Sequence, residues 1–183
     1  MTEPSDRPSY LPPPRHVNAT LKQSIIVIGL MLLLLLGGRY ALRFVGKRVG
    51  LSMVCATHLS TLGRALNIYA SENADKYPPP DKWCDLLLED DRVTEDTFKC
   101  PYMKKGRCSY SMNPNADMAT VSGKWVLLFE TNAGWNSFGG PELLTAENHD
   151  GIGCNILFVD GSVEFIRKDG FDKLLWGRKI DRQ

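Results

Sequence analysis

The chain has 183 residues, 43% of them hydrophobic and 23% charged, and a formal net charge of +1 at pH 7. That length holds one ordinary domain plus an appendage, and the near-neutral balance, with no basic face and no module motif, sets aside a nucleic-acid partner. The charge is unevenly placed: residues 1–50 carry seven Lys/Arg against two Asp/Glu, net +5, and residues 51–183 carry 15 against 19, net −4, so the larger part is mildly acidic.

Residues 1–20 place five prolines among the first 14 positions and show no apolar periodicity, which predicts a disordered tail. Residues 21–45 read as a transmembrane anchor. The run "SIIVIGLMLLLLLGG", Ser24 to Gly38, is uncharged, and 16 residues separate Lys22 from Arg39, near the short end of the roughly 17–25 that span a bilayer. Lys22 and Arg39 can snorkel to the interfaces and make up the difference. A cleaved signal peptide would have a shorter apolar core followed by a small-x-small site. Here "GGRYALRFVGKRVG" follows, which predicts a retained, single-pass, uncleaved anchor in a lipid bilayer.

Residues 46–183 form the expected globular domain. Leu51, Cys55, Leu59, Leu62, Leu66 and Tyr69 recur at helical spacing, continuing the membrane helix until the prolines of "SENADKYPPP" forbid it. Asp81 is placed to cap a short helix over "KWCDLLLED". Strands are expected at 124–131, 154–159 and 162–167, with a short one at 109–112, and a closing helix at 171–176. The fold class is therefore α+β, a long helix packed on a small antiparallel meander.

The segment "NHDGIGCNILFVDGSVEFI", residues 148–166, reads as a hairpin with Asp160-Gly161 as a two-residue turn. That register pairs Phe158 with Val163 and Ile156 with Phe165 on one buried face. It also sets His149 and Asp160 at opposite ends of a strand of roughly 20 Å, so they do not form a catalytic dyad. His149, Asp160 and Gly161 are read as turn and motif residues, with Asp150 supporting the first turn; no catalytic or cofactor-binding residue is expected. Asp150, Asp160 and the "NPNAD" loop are minor candidates for a divalent cation, without EF-hand spacing.

Five cysteines stand at 55, 84, 100, 108 and 154 with no Cys-x-x-Cys pair, so neither a zinc ribbon nor a thioredoxin-like motif is supported. Cys100 and Cys108 flank "PYMKKGR", and seven intervening residues including Gly106 can bring the two Cα atoms within disulfide reach. Two alternatives stay open: reduced thiols in a cytosolic domain, or Cys84 as partner of one of them. Arg7, Arg15 and Lys22 precede the apolar run and Arg39, Arg43, Lys47 and Arg48 follow it, an excess of one that alone would put the C-terminal domain in the cytoplasm.

The runs "CATHLSTLGRALNIYASENADKYPPPDKWCDLL", "FKCP", "CSYSMN" and "NHDGIGCNILFVDGSVEFI" resemble bacterial pseudopilin-like proteins that end in a His-spacer-Asp-Gly segment, over roughly Cys55 to Ile166. The resemblance implies the helix-on-meander fold of type IV pilins and type II secretion pseudopilins. It further implies a non-enzymatic structural or interaction protein in the inner (cytoplasmic) membrane, with its C-terminal domain outside the cytoplasm. The expected partners are other pilin-like or secretion-system subunits, and no cofactor is implied. The competing readings are an anchored cation-binding module, or a hydrolase or thiol enzyme using His149 with Cys154 or Asp160. The region before the apolar run, "NATLKQSIIVIG", has neither the Gly-Phe junction nor the Glu of a pilin signal. Prepilin-type processing is therefore not expected, and polymerisation is left open.

Overall fold

A computed structural model describes residues 17–103, 106–116 and 124–177, with the backbone alone for residues 17–20, 44, 47–49 and 51. The chain divides into two compact units, Met1–Gly46 and Lys47–Gln183. Helix α1, Val17–Glu72, begins in the first and ends in the second. Of the tail expected over 1–20, residues 1–16 lie outside the described residues, and 17–20 already belong to α1. Within the first unit, Leu21–Arg43 is 23 residues long and apolar enough to cross a membrane, a property that signal sequences share. Its large side chains, Ile25, Leu33 and Leu36 among them, are exposed. An apolar surface without protein cover is the arrangement that a hydrocarbon solvent stabilises.

In the second unit the helical periodicity of the sequence becomes a packed face. Cys55, Leu59, Leu62 and Leu66 are wholly buried and Tyr69 packs beside them; the side chain of Leu51 lies outside the described residues. The helix stops at Glu72, where Ala74 and Asp75 turn into left-handed backbone and the Asp75 N–H donates to the Ala70 carbonyl. Helix α2, Trp83–Glu89, buries Trp83, Cys84 and Leu87 against the same core. Asp81 does not cap it. Its free N–H groups are met from 52 residues away, by Asn136 Oδ1, which accepts from Cys84 N at 2.8 Å and more loosely from Asp85 N. A side chain from another segment can do what a local N-cap does, because the orphan donors require an acceptor and not a particular neighbour.

Four strands, β1 (Tyr110–Met112), β2 (Val126–Glu130), β3 (Gly153–Phe158) and β4 (Val163–Arg167), form one antiparallel sheet in the order β1-β2-β3-β4. The sequence predicts one buried side, but the sheet is covered on both. One face carries Leu128, Leu157 and Tyr110 into the cluster built on α1 and α2. The other carries Val126, Phe129, Cys154, Ile156 and Phe158 against Leu143, Phe171, Leu174 and Trp176. The expected closing helix is a 3-10 helix at Lys168–Lys173, and it and the residues after it supply much of the second cover through Phe171, Leu174 and Trp176. Every residue of β2 and β3 is consequently buried, and an irregularity between Val126 and Leu128 lets consecutive β2 residues serve both cores.

The hairpin differs from its sequence-based register by one residue. Leu157 pairs with Val163, Ile156 with Glu164, Asn155 with Phe165 and Gly153 with Arg167. The loop is Val159-Asp160-Gly161, with Phe158 N donating to Ser162 O, Gly161 N donating to Phe158 O, and Gly161 at φ +81°. A three-residue loop closed by a left-handed glycine is the common alternative to the two-residue turn. Asp160 favours it by accepting from Ser162 N at 2.9 Å. The slip moves Phe165 from opposite Ile156 to opposite Asn155, and so to the other face of the sheet.

At the open end of this hairpin a Cβ on Gly153 would stand 2.2 Å from the Ile166 carbonyl oxygen and 2.9 Å from the Arg167 Cα. Both are backbone atoms of the paired strand and cannot rotate away. Gly153→Ala is expected to destabilise the protein by about 1–3 kcal/mol, the usual cost of forced overpacking. Urea denaturation of the detergent-solubilised full chain checks it, and an unchanged midpoint would contradict the pairing described for Gly153.

Candidate functional site

Four side chains from four places in the sequence converge under the α1 side of the sheet. Cys55 comes from the buried stripe of α1. Cys100 follows the 3-10 helix Glu95–Phe98, and its segment is fastened from two directions: His58 Nδ1 donates to the Lys99 carbonyl at 2.8 Å, and Cys100 N donates to Ser109 Oγ at 2.8 Å. Glu130 ends β2, and His149 ends the 3-10 helix Glu147–His149 just ahead of β3. One potential ligand atom from each of Cys55, Cys100, Glu130 and His149 lies within 4.8 Å of every other.

Cys55 and Cys100 are joined by a disulfide with Cα atoms 5.0 Å apart. Next to it, Glu130 Oε1 accepts three hydrogen bonds: from His149 Nε2 at 2.9 Å, Asn155 Nδ2 at 3.0 Å and Asn155 N at 3.3 Å. Glu130 is fully buried and His149 is 5% exposed, so this pair sits where an unpartnered charge would cost several kcal/mol. The second carboxylate oxygen, Oε2, is buried with no hydrogen-bond partner among the described residues. The His149 ring is held edge-on between Tyr102 and Phe165, centroids 4.8 and 5.5 Å away. The acidic charge reaches its neighbours. Burial pushes the Cys154 thiol well up and Glu130 pushes it further, and the Tyr110 hydroxyl is raised by the same two causes in the same order.

His149 and Asn155 also form part of the wall of a cleft of about 460 Å³ lined by Ser52, Ala56, Tyr102 and Phe165. Phe165 faces this cleft only in the observed hairpin register. In a catalytic triad the two ring nitrogens of a histidine divide the work, one toward the nucleophile and one toward the orienting carboxylate. Here a single nitrogen, Nε2, meets both Glu130 at 2.9 Å and Cys100 Sγ at 4.0 Å, so that division is not formed. Four donors pointing at a common space is instead the geometry of a ligand set.

His149 is thus a buried partner of Glu130 and not merely a turn residue. Asp160 and Gly161 lie exposed at the hairpin tip, where Asp160 meets Ser162 and, at 3.9 Å, Lys124. Asp150 lies in left-handed backbone before β3, at the opposite end of that strand, so no shared cation site joins the two aspartates. The expected Cys100–Cys108 bridge is replaced by Cys55–Cys100. The "PYMKKGR" loop is instead drawn together at its base by Ser109 N donating to Phe98 O at 2.8 Å. That leaves Cys108 as a buried free thiol, its Sγ 3.9 Å from that of Cys84. Burial, followed by this contact, pushes the Cys84 thiol far above its ordinary value. Cys154 is a buried free thiol on the opposite face of the sheet.

Sequence reasoning missed Glu130, Asn155 and the role of Cys55. Two signals were present: a carboxylate closing the wholly apolar run "VLLF", and a cysteine inside the buried helical stripe. No protein-family model, curated protein or solved structure matches the chain.

Two outcomes follow from this geometry. Peptide mapping without reductant, on protein from an oxidising compartment, should recover a peptide linking Cys55 to Cys100; a Cys100–Cys108 peptide would overturn the assignment. On the chain-entropy model a 45-residue separation corresponds to about 4 kcal/mol of stabilisation. Separately, Glu130→Ala strands His149 Nε2 and both Asn155 donors and should cost about 3–5 kcal/mol, whereas Glu130→Gln, which keeps an acceptor oxygen, should cost less. Denaturation midpoints of the two variants decide this, and an alanine variant as stable as the parent would refute it.

Proposed function

We propose that this chain is a membrane-anchored, pilin-like structural or interaction protein of the bacterial cell envelope, with its α+β head outside the cytoplasm. The carrying observation is the plan of α1. One helix includes an exposed apolar stretch, Leu21–Arg43, and later buries Cys55, Leu59, Leu62 and Leu66 on a four-stranded antiparallel sheet. That is the order of parts in a pseudopilin, and it agrees with the resemblance of Cys55 to Ile166 to that group. The Cys55–Cys100 disulfide supports an oxidising location for the head. A non-enzymatic role is supported by the thiols, two bonded to each other and three buried, and by the single nitrogen that His149 offers to both neighbours. In this reading the lipid bilayer is one partner, and other pilin-like or secretion-system subunits are the others. The lack of a prepilin junction before Ser24 favours an accessory subunit over a filament repeat.

The test is a C-terminal alkaline phosphatase fusion, read together with alkaline carbonate extraction and the intact mass of the chain. An active fusion, retained in carbonate-washed membranes with residues 21–45 still present, is the expected outcome. An inactive fusion, or a mature N-terminus beyond residue 21, would overturn the anchored, outward-facing reading.

A further inference from the structure

The cluster of Cys55, Cys100, Glu130 and His149 has a second chemistry besides the disulfide. We propose that, when Cys55 and Cys100 are thiols, these four residues form a zinc site, so that the same two sulfur atoms are either a disulfide or a pair of metal ligands. The inference concerns only residues of the unit Lys47–Gln183 and stands apart from the envelope role.

Three observations carry it. The first is proximity: the four candidate ligand atoms are mutually within 4.8 Å. A tetrahedral ion with bonds of about 2.0–2.3 Å holds its ligand atoms roughly 3.3–3.8 Å apart, so side-chain rotations of small extent close the shell once the S–S bond is absent. The second is the donor set. Two thiolates, an imidazole and a carboxylate are zinc ligands and not the all-oxygen shell of calcium or magnesium. The third is Glu130 itself, whose Oε2 is wholly buried and accepts no hydrogen bond among the described residues. A carboxylate oxygen kept in that state beside two sulfur atoms has a use if it binds a cation. Asn155, which donates to Oε1 through its side chain and its backbone N–H, orients the carboxylate as an outer partner of such a site does. In the zinc form the ring is the neutral Nδ1–H tautomer: the proton that Nε2 donates to Glu130 moves to Nδ1, the Nε2 lone pair binds the ion, and Tyr102 and Phe165 keep the ring in its slot.

Binding releases the two thiol protons to solvent and leaves zinc as Zn²⁺. Oxidation by a disulfide-containing compound reverses it. The Cys55–Cys100 bond forms, two electrons pass to the S–S bond of the oxidant, which leaves as two thiolates, and Zn²⁺ departs unchanged in oxidation state.

The experiment uses the full chain in detergent, reduced with a phosphine under anaerobic conditions, exposed to zinc, and desalted before metal analysis. The reduced wild type should retain zinc stoichiometrically, and the oxidised wild type, identical in sequence, should not. Cobalt in place of zinc should give the thiolate-to-metal charge-transfer band and the intense visible bands of a tetrahedral site. Competition with a chromophoric chelator should show Cys100→Ser, His149→Gln and Glu130→Gln weakened by at least the about 10- to 100-fold that loss of an outer partner costs. A Cys84→Ala/Cys108→Ala variant should bind as the wild type does. Circular dichroism identifies any variant that fails to fold, in which case the reduced-against-oxidised comparison alone decides. Absence of zinc from reduced, folded wild type overturns the proposal. So does equal retention by the oxidised form, or loss of binding only in the Cys84/Cys108 variant.

Discussion

A carboxylate without exposed surface organises this head. Glu130 ends β2, and a single one of its oxygens gathers the ring of His149, the side chain of Asn155 and the Asn155 backbone N–H. Those donors belong to the segment before β3 and to β3 itself, so one acceptor ties the loop 131–152 back to the sheet it left. The cost of burying a charge makes the arrangement exacting. If any one donor is misplaced, an ion in low dielectric loses partners worth more than most apolar contacts. The position of His149 against Cys100, and through the disulfide against α1, follows from that requirement.

The disulfide answers a different problem. Segment 99–103 has little regular structure, and its attachment to α1 rests on the His58 bond to Lys99, the bridge to Cys55, and the packing of Phe98 and Tyr102. A bond that closes a 45-residue separation constrains the unfolded chain more than the short Cys100–Cys108 loop would. Cys108 meanwhile packs against Cys84 of α2. The five cysteines thus divide by element: two join α1 to a loop, two bring α2 against the residues just before β1, and one lies under the C-terminal segment.

Much of this was legible before any coordinates. The apolar run, the helical stripe from Cys55 to Leu66, the end of the helix within "SENADKYPPP", α2 and all four strands are local patterns, because periodicity and turn chemistry are properties of neighbouring residues. The hairpin was legible as a hairpin, but its register was not. A two-residue and a three-residue loop both use Asp160-Gly161, and the alternation that would separate them is blurred when both faces of β3 are buried.

The sequence by itself determined that a long apolar helix is followed by a small antiparallel α+β head, and that His149 and Asp160 belong to opposite ends of one strand. Tertiary structure alone decided which cysteine meets Cys100, which side chain caps α2, that the C-terminal residues cover a second face, and that Glu130, His149, Asn155, Cys55 and Cys100 share one buried space. The reason is common to all four. Each is a contact between segments well apart in the sequence: 19 residues between His149 and Glu130, 45 between Cys55 and Cys100, and 52 between Cys84 and Asn136. Their pairing is set by the mutual packing of α1, the sheet and the loops, which no local pattern encodes.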